Sequence, residues 1–163
     1  EFLEWIDRNT PGHVTKRFST NLDEMIEDSD HNLLRVINYP ALKSLNTHGA
    51  IRALEHADIN LITLLVSATQ PGLQVKNTRG KWITVDSNSG DLIVNTGDML
   101  QECSGGYFPS TIHRVVNPNE KAKHKARISM PIFIHPNDEV ILSDKYTAGQ
   151  YLDERLKEIG LKH

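Results

Sequence analysis

The sequence has a single cysteine, few aromatic residues and no long hydrophobic run. Cys103 is the only cysteine among 163 residues, which excludes an intrachain disulfide and predicts a cytoplasmic protein with an unreactive thiol. Aromatic residues make up 6% of the chain. No apolar segment approaches the length needed to cross a bilayer, and no charged-then-apolar signal segment opens the chain. We therefore expect no membrane association.

Neither sign of charge is in strong excess. Eighteen Lys and Arg residues face 21 Asp and Glu residues, which gives a formal net charge of −3. This balance does not favour binding to nucleic acid, and the basic run at 121–125 is expected to be a solvated loop. The expected partner is a small molecule, and the sequence does not determine an oligomeric state.

Short apolar segments rich in Val, Ile and Thr are separated by Gly, Pro, Asn and Asp, a pattern typical of strands joined by turns. They cover residues 33–37, 59–66, 73–75, 82–85, 92–94, 112–116 and 128–134. Their number and spacing predict an all-β sandwich or barrel. A helical turn is predicted at 97–102, and a C-terminal helix at 148–161 with a stop at Gly160.

Two histidines and an aspartate are candidates for a metal site. His56 and Asp58 are two residues apart, so on a strand they would share one face, and His113 lies in another predicted strand. Two imidazoles and a carboxylate form the ligand set that holds non-haem Fe(II) and leaves coordination positions open. One such His-x-acid triplet is expected by chance in this composition, so a surface turn is the simpler explanation of the triplet alone.

Arg127 and Ser129 are candidates for binding an acid. In the segment 126–134, taken as a strand, they lie on one face, among apolar residues. A buried arginine needs an anionic partner, because unpaired burial of a charge is costly. Either a protein carboxylate or a bound organic acid would meet this need.

Taken in order, the motifs resemble the catalytic half of the isopenicillin N synthase-like family of Fe(II)/2-oxoglutarate-dependent oxygenases. The resemblance runs from about Leu33 to Ser143. It rests on Asn38-Tyr39-Pro40, His56-Ala57-Asp58, residues 61–65, Pro71-Gly72-Leu73-Gln74-Val75, Trp82-Ile83, Asn95-Thr96-Gly97-Asp98, His113-Arg114-Val115-Val116 and Arg127-Ile128-Ser129-Met130-Pro131.

The resemblance implies a mainly β fold, a double-stranded β-helix (jelly-roll) barrel over 33–143, with a partial helical flank at 1–32 and a C-terminal helix within 144–163. It implies that His56, Asp58 and His113 ligate Fe(II), with no other catalytic residue. By the same resemblance, Arg127 and Ser129 bind the distal carboxylate of 2-oxoglutarate, and Tyr39 helps to hold the co-substrate. Tyr39 is equally well explained as a turn residue before proline.

The activity implied is oxidation of a small molecule by O2, ending in hydroxylation, desaturation or ring closure, with release of succinate and CO2. Two alternatives stay open: a same-family Fe(II) oxidase that does not use 2-oxoglutarate, and a non-catalytic metal-binding β-barrel module. Relatives carry a longer N-terminal region, whereas only some thirty residues precede the first predicted strand here. We therefore expect an apolar face that these residues do not cover.

Overall fold

A computed structural model describes residues 1–42 and 51–162 of the chain. The helices in this part are α1 (Phe2–Asn9), α2 (Gly12–Thr15), a 3-10 helix (Glu24–Ile26), α3 (Asp98–Cys103) and α4 (Ala148–Glu158). The strands are β1 (Leu33–Leu34), β2 (Ile37–Tyr39), β3 (Ala53–His56), β4 (Ile62–Val66), β5 (Leu73–Lys76), β6 (Trp82–Thr84), β7 (Leu92–Thr96), β8 (His113–Val115) and β9 (Arg127–Ile134).

The strands form two antiparallel sheets. The first has the order β1-β9-β4-β7, with β2 also paired to β9, and the second has the order β3-β8-β5-β6. The hairpin between β5 and β6 forms because the Asn77 side chain accepts hydrogen bonds from the backbone nitrogens of Arg79 and Lys81, while Gly80 has φ +74°. The prediction of a mainly β protein with few helices is confirmed.

The segment predicted as one strand at 33–37 is two short strands. Both β1 and β2 pair with β9 in a single register, and the pairing breaks opposite Pro131. The Arg35 nitrogen donates to the Pro131 carbonyl at 3.0 Å, but proline has no N–H with which to complete the reciprocal bond. The missing donor accounts for the interruption.

The strand predicted at 59–66 begins later, at Ile62, and β3 was not predicted. His56 is the last residue of β3, whereas Asp58 lies in the connection between β3 and β4. The expectation that both residues lie on one strand is therefore wrong. The connection bonds to the start of α3 instead, because the carbonyls of Asp58 and Asn60 accept from the nitrogens of Asp98 and Met99 at 2.9 and 3.0 Å.

The main core lies between the first sheet and the helices. Its most buried apolar side chains come from the N-terminal segment, the start of β4, α3 and the segment before α4: Leu22, Met25, Leu61, Ile62, Met99, Leu100 and Leu142. Burial of each such side chain contributes about 1.5–3 kcal/mol. This shared core fixes α3 against the β3–β4 connection, and so fixes the backbone around Asp58.

The predicted C-terminal helix is α4. Thr147 and Gln150 form a reciprocal capping box at its start, and Gly160, with φ +74°, follows its end. Tyr151 and Leu152 pack against the core, whereas Ile159, just after the helix, is 59% exposed. Among the described residues, no helix is both long and apolar enough to cross a membrane.

The outer face of the first sheet is apolar and partly exposed. Val66, Leu92, Val94, Ile128 and Met130 on this face are each 40–42% exposed. Their neighbours along the strands point to the opposite face, which is buried. The expected apolar face is therefore present.

Candidate active site

His56 and His113 lie directly opposite each other on β3 and β8, with ring centroids 4.3 Å apart. The Nδ1 of His56 bonds to the Leu54 carbonyl at 2.8 Å, and the Nδ1 of His113 bonds to the Thr111 carbonyl at 2.9 Å. A carbonyl can only accept, so each Nδ1 carries the proton and donates. In the neutral ring, a proton on Nδ1 leaves Nε2 with the free lone pair that a metal ligand requires.

Asp58 presents one carboxylate oxygen to the two histidines. Its Oδ1 lies 3.9 Å from Nε2 of His56 and 3.8 Å from Nε2 of His113. Its Oδ2 accepts a hydrogen bond from the Thr63 hydroxyl at 2.7 Å, and that hydroxyl accepts from the Asn60 side-chain nitrogen at 2.8 Å. The buried chain from Asn60 through Thr63 thus fixes the carboxylate so that Oδ1 faces both imidazoles.

These three residues could hold one metal ion. Their ligand atoms all lie within 4.8 Å of one another, and they form the only such cluster among the described residues. The side chains of Asp58 and His113 are 6% and 10% exposed, whereas that of His56 is 49% exposed. The donor set fits non-haem Fe(II), since two neutral imidazoles and one carboxylate leave coordination positions for other ligands.

Arg127 is buried with no acidic partner. It is 2% exposed, its Nε donates to the Gln70 carbonyl at 3.0 Å, and its Nη1 is buried without a hydrogen-bond partner. In the part of the chain that the structure describes, no carboxylate forms an ion pair with it. Burial lowers the pKa of Arg127 from its ordinary value, although a guanidinium still keeps its charge near neutral pH. The described residues therefore supply no carboxylate partner for the Arg127 guanidinium.

Tyr39 and Ser129 lie beside Arg127. Tyr39 is its cross-strand neighbour on β2, with the Arg127 guanidinium carbon 5.5 Å from the ring centroid. Ser129 is 5% exposed, and the burial pattern of β9 places it on the same face as Arg127, as predicted. The six predicted site residues all line one cavity: Tyr39, His56, Asp58, His113, Arg127 and Ser129. Their roles stay predictions.

Three further polar residues around this cavity were not predicted. Thr63 and Asn60 orient Asp58, and Arg52 lies next to Tyr39. Thr63 could have been noticed as the one hydroxyl inside the apolar run of β4. The hydrogen bonds of Asn60 and the position of Arg52 depend on tertiary structure, and no sequence pattern indicates them.

Comparisons of this chain with known proteins agree on one family. The family model described as the 2OG-Fe(II) oxygenase superfamily matches residues 31–136. A candidate oxygenase from Shewanella oneidensis superposes with a TM-score of 0.88 at 53% identity, over 98% of this chain and 58% of that one. A full-length Neurospora crassa protein, solved in complex with alpha-KG (2-oxoglutarate) and thymine, superposes with a TM-score of 0.73 at 33% identity, over 84% of this chain and 46% of that one.

A curated relative agrees with this result. Homoarginine-6-hydroxylase 2-ODD-C23 of Glycine max is 37% identical over 110 residues, which are 64% of this chain and 32% of the relative. The chain thus spans about a third of this relative and about half of the two solved structures. The family predicted from the ordered motifs is confirmed, and the chain belongs to the 2OG-Fe(II) oxygenase superfamily.

Proposed function

We propose that the protein is an Fe(II)- and 2-oxoglutarate-dependent oxygenase that oxidises a small molecule. The observation that carries the proposal is the cavity that holds both the His56, Asp58 and His113 cluster and the unpaired cation of Arg127. A site with three metal ligands would by itself fit many functions. Here the site also contains the buried Arg127 guanidinium, which has no carboxylate partner among the described residues. This combination fits a metal ion that acts together with a bound organic acid.

In this proposal, His56, Asp58 and His113 hold Fe(II). When bound, Fe(II) and 2-oxoglutarate together supply O2 activation, in which one oxygen atom enters succinate, the other oxidises the substrate, and CO2 leaves. The protein orients the three ligands. The backbone carbonyls of Leu54 and Thr111 fix the tautomer of the two imidazoles, and the Thr63 hydroxyl fixes the Asp58 carboxylate. All three ligand atoms therefore point to one place before the ion binds.

Arg127 and Ser129 bind the distal carboxylate of 2-oxoglutarate in this proposal. The free Nη1 of Arg127 donates one hydrogen bond to this carboxylate from a charged group, and the Ser129 hydroxyl donates a second one from a neutral group. Tyr39 closes the same end of the cavity, beside Arg127. Because Nε of Arg127 is already held by the Gln70 carbonyl, the guanidinium is fixed in place before the acid arrives.

We also infer that residues 33–143 form a double-stranded β-helix, or jelly roll, with residues 1–32 and a helix within 144–163 as flanks. Two antiparallel sheets with the candidate site between them support this arrangement, as does membership of the superfamily. The substrate proposed is a small molecule only. Related proteins are named for homoarginine or hold thymine, and these two differ too much to rank a substrate for this chain. A cytoplasmic location stays a prediction.

Anaerobic addition of Fe(II) and then 2-oxoglutarate tests the proposal. We expect a visible absorption band that requires both additions, and succinate formation once O2 and a substrate are admitted. His56→Ala and Asp58→Ala should abolish both signals because each removes a ligand. His13→Ala, at an exposed histidine on α2, is the matched control and should retain them. Undiminished succinate formation by the Asp58 variant would refute the assignment. Iron binding without a 2-oxoglutarate-dependent band would favour the oxidase or the non-catalytic module.

A further inference from the structure

Arg52 is a second cation beside the cavity, immediately before β3. Its Nη2 donates to the Lys125 carbonyl at 3.1 Å. Its Nε and Nη1 are buried, and neither has a hydrogen-bond partner in the described structure. The side chain therefore presents two unused donors, and an unused buried donor costs free energy until an acceptor arrives.

Arg52 and Arg127 are close to the same aromatic ring. Their guanidinium carbons lie 5.9 and 5.5 Å from the centroid of Tyr39, which lines the cavity. Within residues 1–42 and 51–162, neither arginine forms an ion pair with a carboxylate. Two cations near one ring repel each other and are desolvated, so this region is electrostatically incomplete without an anion.

The pKa of each guanidinium reflects the same surroundings. Burial is the main cause that lowers the pKa of Arg52 and of Arg127, and the nearby charge of Arg52 lowers that of Arg127 further. A carboxylate would relieve both effects, because it neutralises charge and has two oxygens that can accept several hydrogen bonds.

We propose that Arg52 is a second cationic contact for the carboxylate that binds beside Tyr39, so that this group is held between the guanidinium groups of Arg52 and Arg127. The inference rests on the proposed function and adds Arg52 to the residues that hold the distal carboxylate. Replacing Arg52 should therefore weaken binding of a dicarboxylate 2-oxo acid more than binding of a monocarboxylate of similar length. Arg127 is the expected anchor of the distal carboxylate, and Arg52 increases the affinity for that charge.

Anaerobic titration of the Fe(II)-loaded protein with two 2-oxo acids tests this inference. The first is 2-oxoglutarate, and the second is 2-oxopentanoate, which lacks the distal carboxylate. We expect Arg52→Gln to raise the Kd for 2-oxoglutarate about tenfold or more, since charge-assisted hydrogen bonds are the strong ones. The Kd for 2-oxopentanoate should stay within a factor of about two, because that ligand has no distal carboxylate for Arg52 to bind.

Arg79→Gln is the matched control, since Arg79 is an exposed arginine in the β5–β6 turn. It should leave both Kd values unchanged. Arg52→Lys keeps the charge without the planar fork, and we expect an intermediate Kd for 2-oxoglutarate. Thermal unfolding of the metal-free proteins shows whether each variant folds. We expect Arg52→Gln to be no less stable than the parent, because it removes a partly buried cation that has no acidic partner in the described structure.

The outcomes separate this inference from the proposed function. An unchanged 2-oxoglutarate Kd in Arg52→Gln, with a large loss in Arg127→Gln, overturns the role of Arg52 and leaves the proposed function intact. An equal loss for both acids in Arg52→Gln also overturns it, because the effect would then not depend on the distal carboxylate. If the unaltered protein gives no band with 2-oxoglutarate, the proposed function itself fails.

Discussion

Replacing Thr63 by valine should weaken metal binding without any change to a ligand. The substitution keeps the size and β-branching of the side chain but removes the hydroxyl that joins Asn60 to Asp58. All three residues are buried, at 0–6% exposed. One carboxylate oxygen and one amide N–H lose their partner. At about 1–3 kcal/mol for each of these two buried groups, the free energy of unfolding should fall by about 2–6 kcal/mol.

The loss of orientation should reduce metal affinity about 10- to 100-fold, as is typical when a partner behind a metal ligand is removed. Co(II), which does not oxidise under these conditions, can be titrated by visible absorbance, and urea unfolding of the metal-free protein gives stability. Thr63→Ser is the matched control. It keeps the hydroxyl and loses one methyl group, so it should cost about 1 kcal/mol and retain the affinity. The reasoning fails if Thr63→Val binds Co(II) as tightly as the parent, or if the serine variant loses as much.

Other parts of the structure give three further predictions. Gly97→Ala should destabilise the fold by about 3 kcal/mol or more in urea unfolding, because the added Cβ would clash with two oxygens of Asn60. Gly12→Ala is the control and should not destabilise the fold, because no neighbouring atom lies within 4 Å of its added Cβ. Cys103, 1% exposed with its pKa raised to about 12 mainly by burial, should react with a thiol reagent at pH 8 only after unfolding. Burial lowers the pKa of His135 below its usual 6.5, so below about pH 6.5 the unfolded chain binds more protons. Stability should therefore fall as pH drops through that range, and His135→Gln should flatten the pH dependence of the unfolding midpoint.

The sequence predicts those parts of the site that depend on local periodicity. Arg127 and Ser129 are two residues apart in an extended run, and the strand rule alone places them on one face. The structure shows that face buried in the cavity. The strand that carries His113 was also predicted, because β8 lies within the segment predicted as a strand at 112–116. For these residues the chain direction and the strand period determine where the side chain points.

Two features that the sequence did not predict depend on contacts between distant segments. Asp58 was predicted as a site residue, but it lies outside any strand, and its carbonyl bonds to the start of α3, forty residues later in the chain. Nothing in residues 56–63 indicates that bond, so the local structure at Asp58 could not be predicted. Arg52 is similar, since its proximity to Tyr39 follows from the pairing of separate strands with β8 and β9. Composition gives no sign of either arrangement.

The proposed co-substrate site would link ligand binding to stability through the polar groups that the described structure leaves without partners. Nη1 of Arg127 and two donors of Arg52 are buried and unused, so they cost folding free energy in the free protein. A ligand that binds only the folded state returns free energy as RT ln(1 + [L]/Kd), about 2.7 kcal/mol at a hundredfold excess over Kd. A dicarboxylate that accepts hydrogen bonds from these donors should therefore stabilise the folded state. The same donors destabilise the folded state when no ligand is bound. Replacing Arg52 or Arg127 should abolish the stabilisation by the ligand without lowering the stability of the ligand-free protein. A packing role would instead predict a loss of stability in the ligand-free protein.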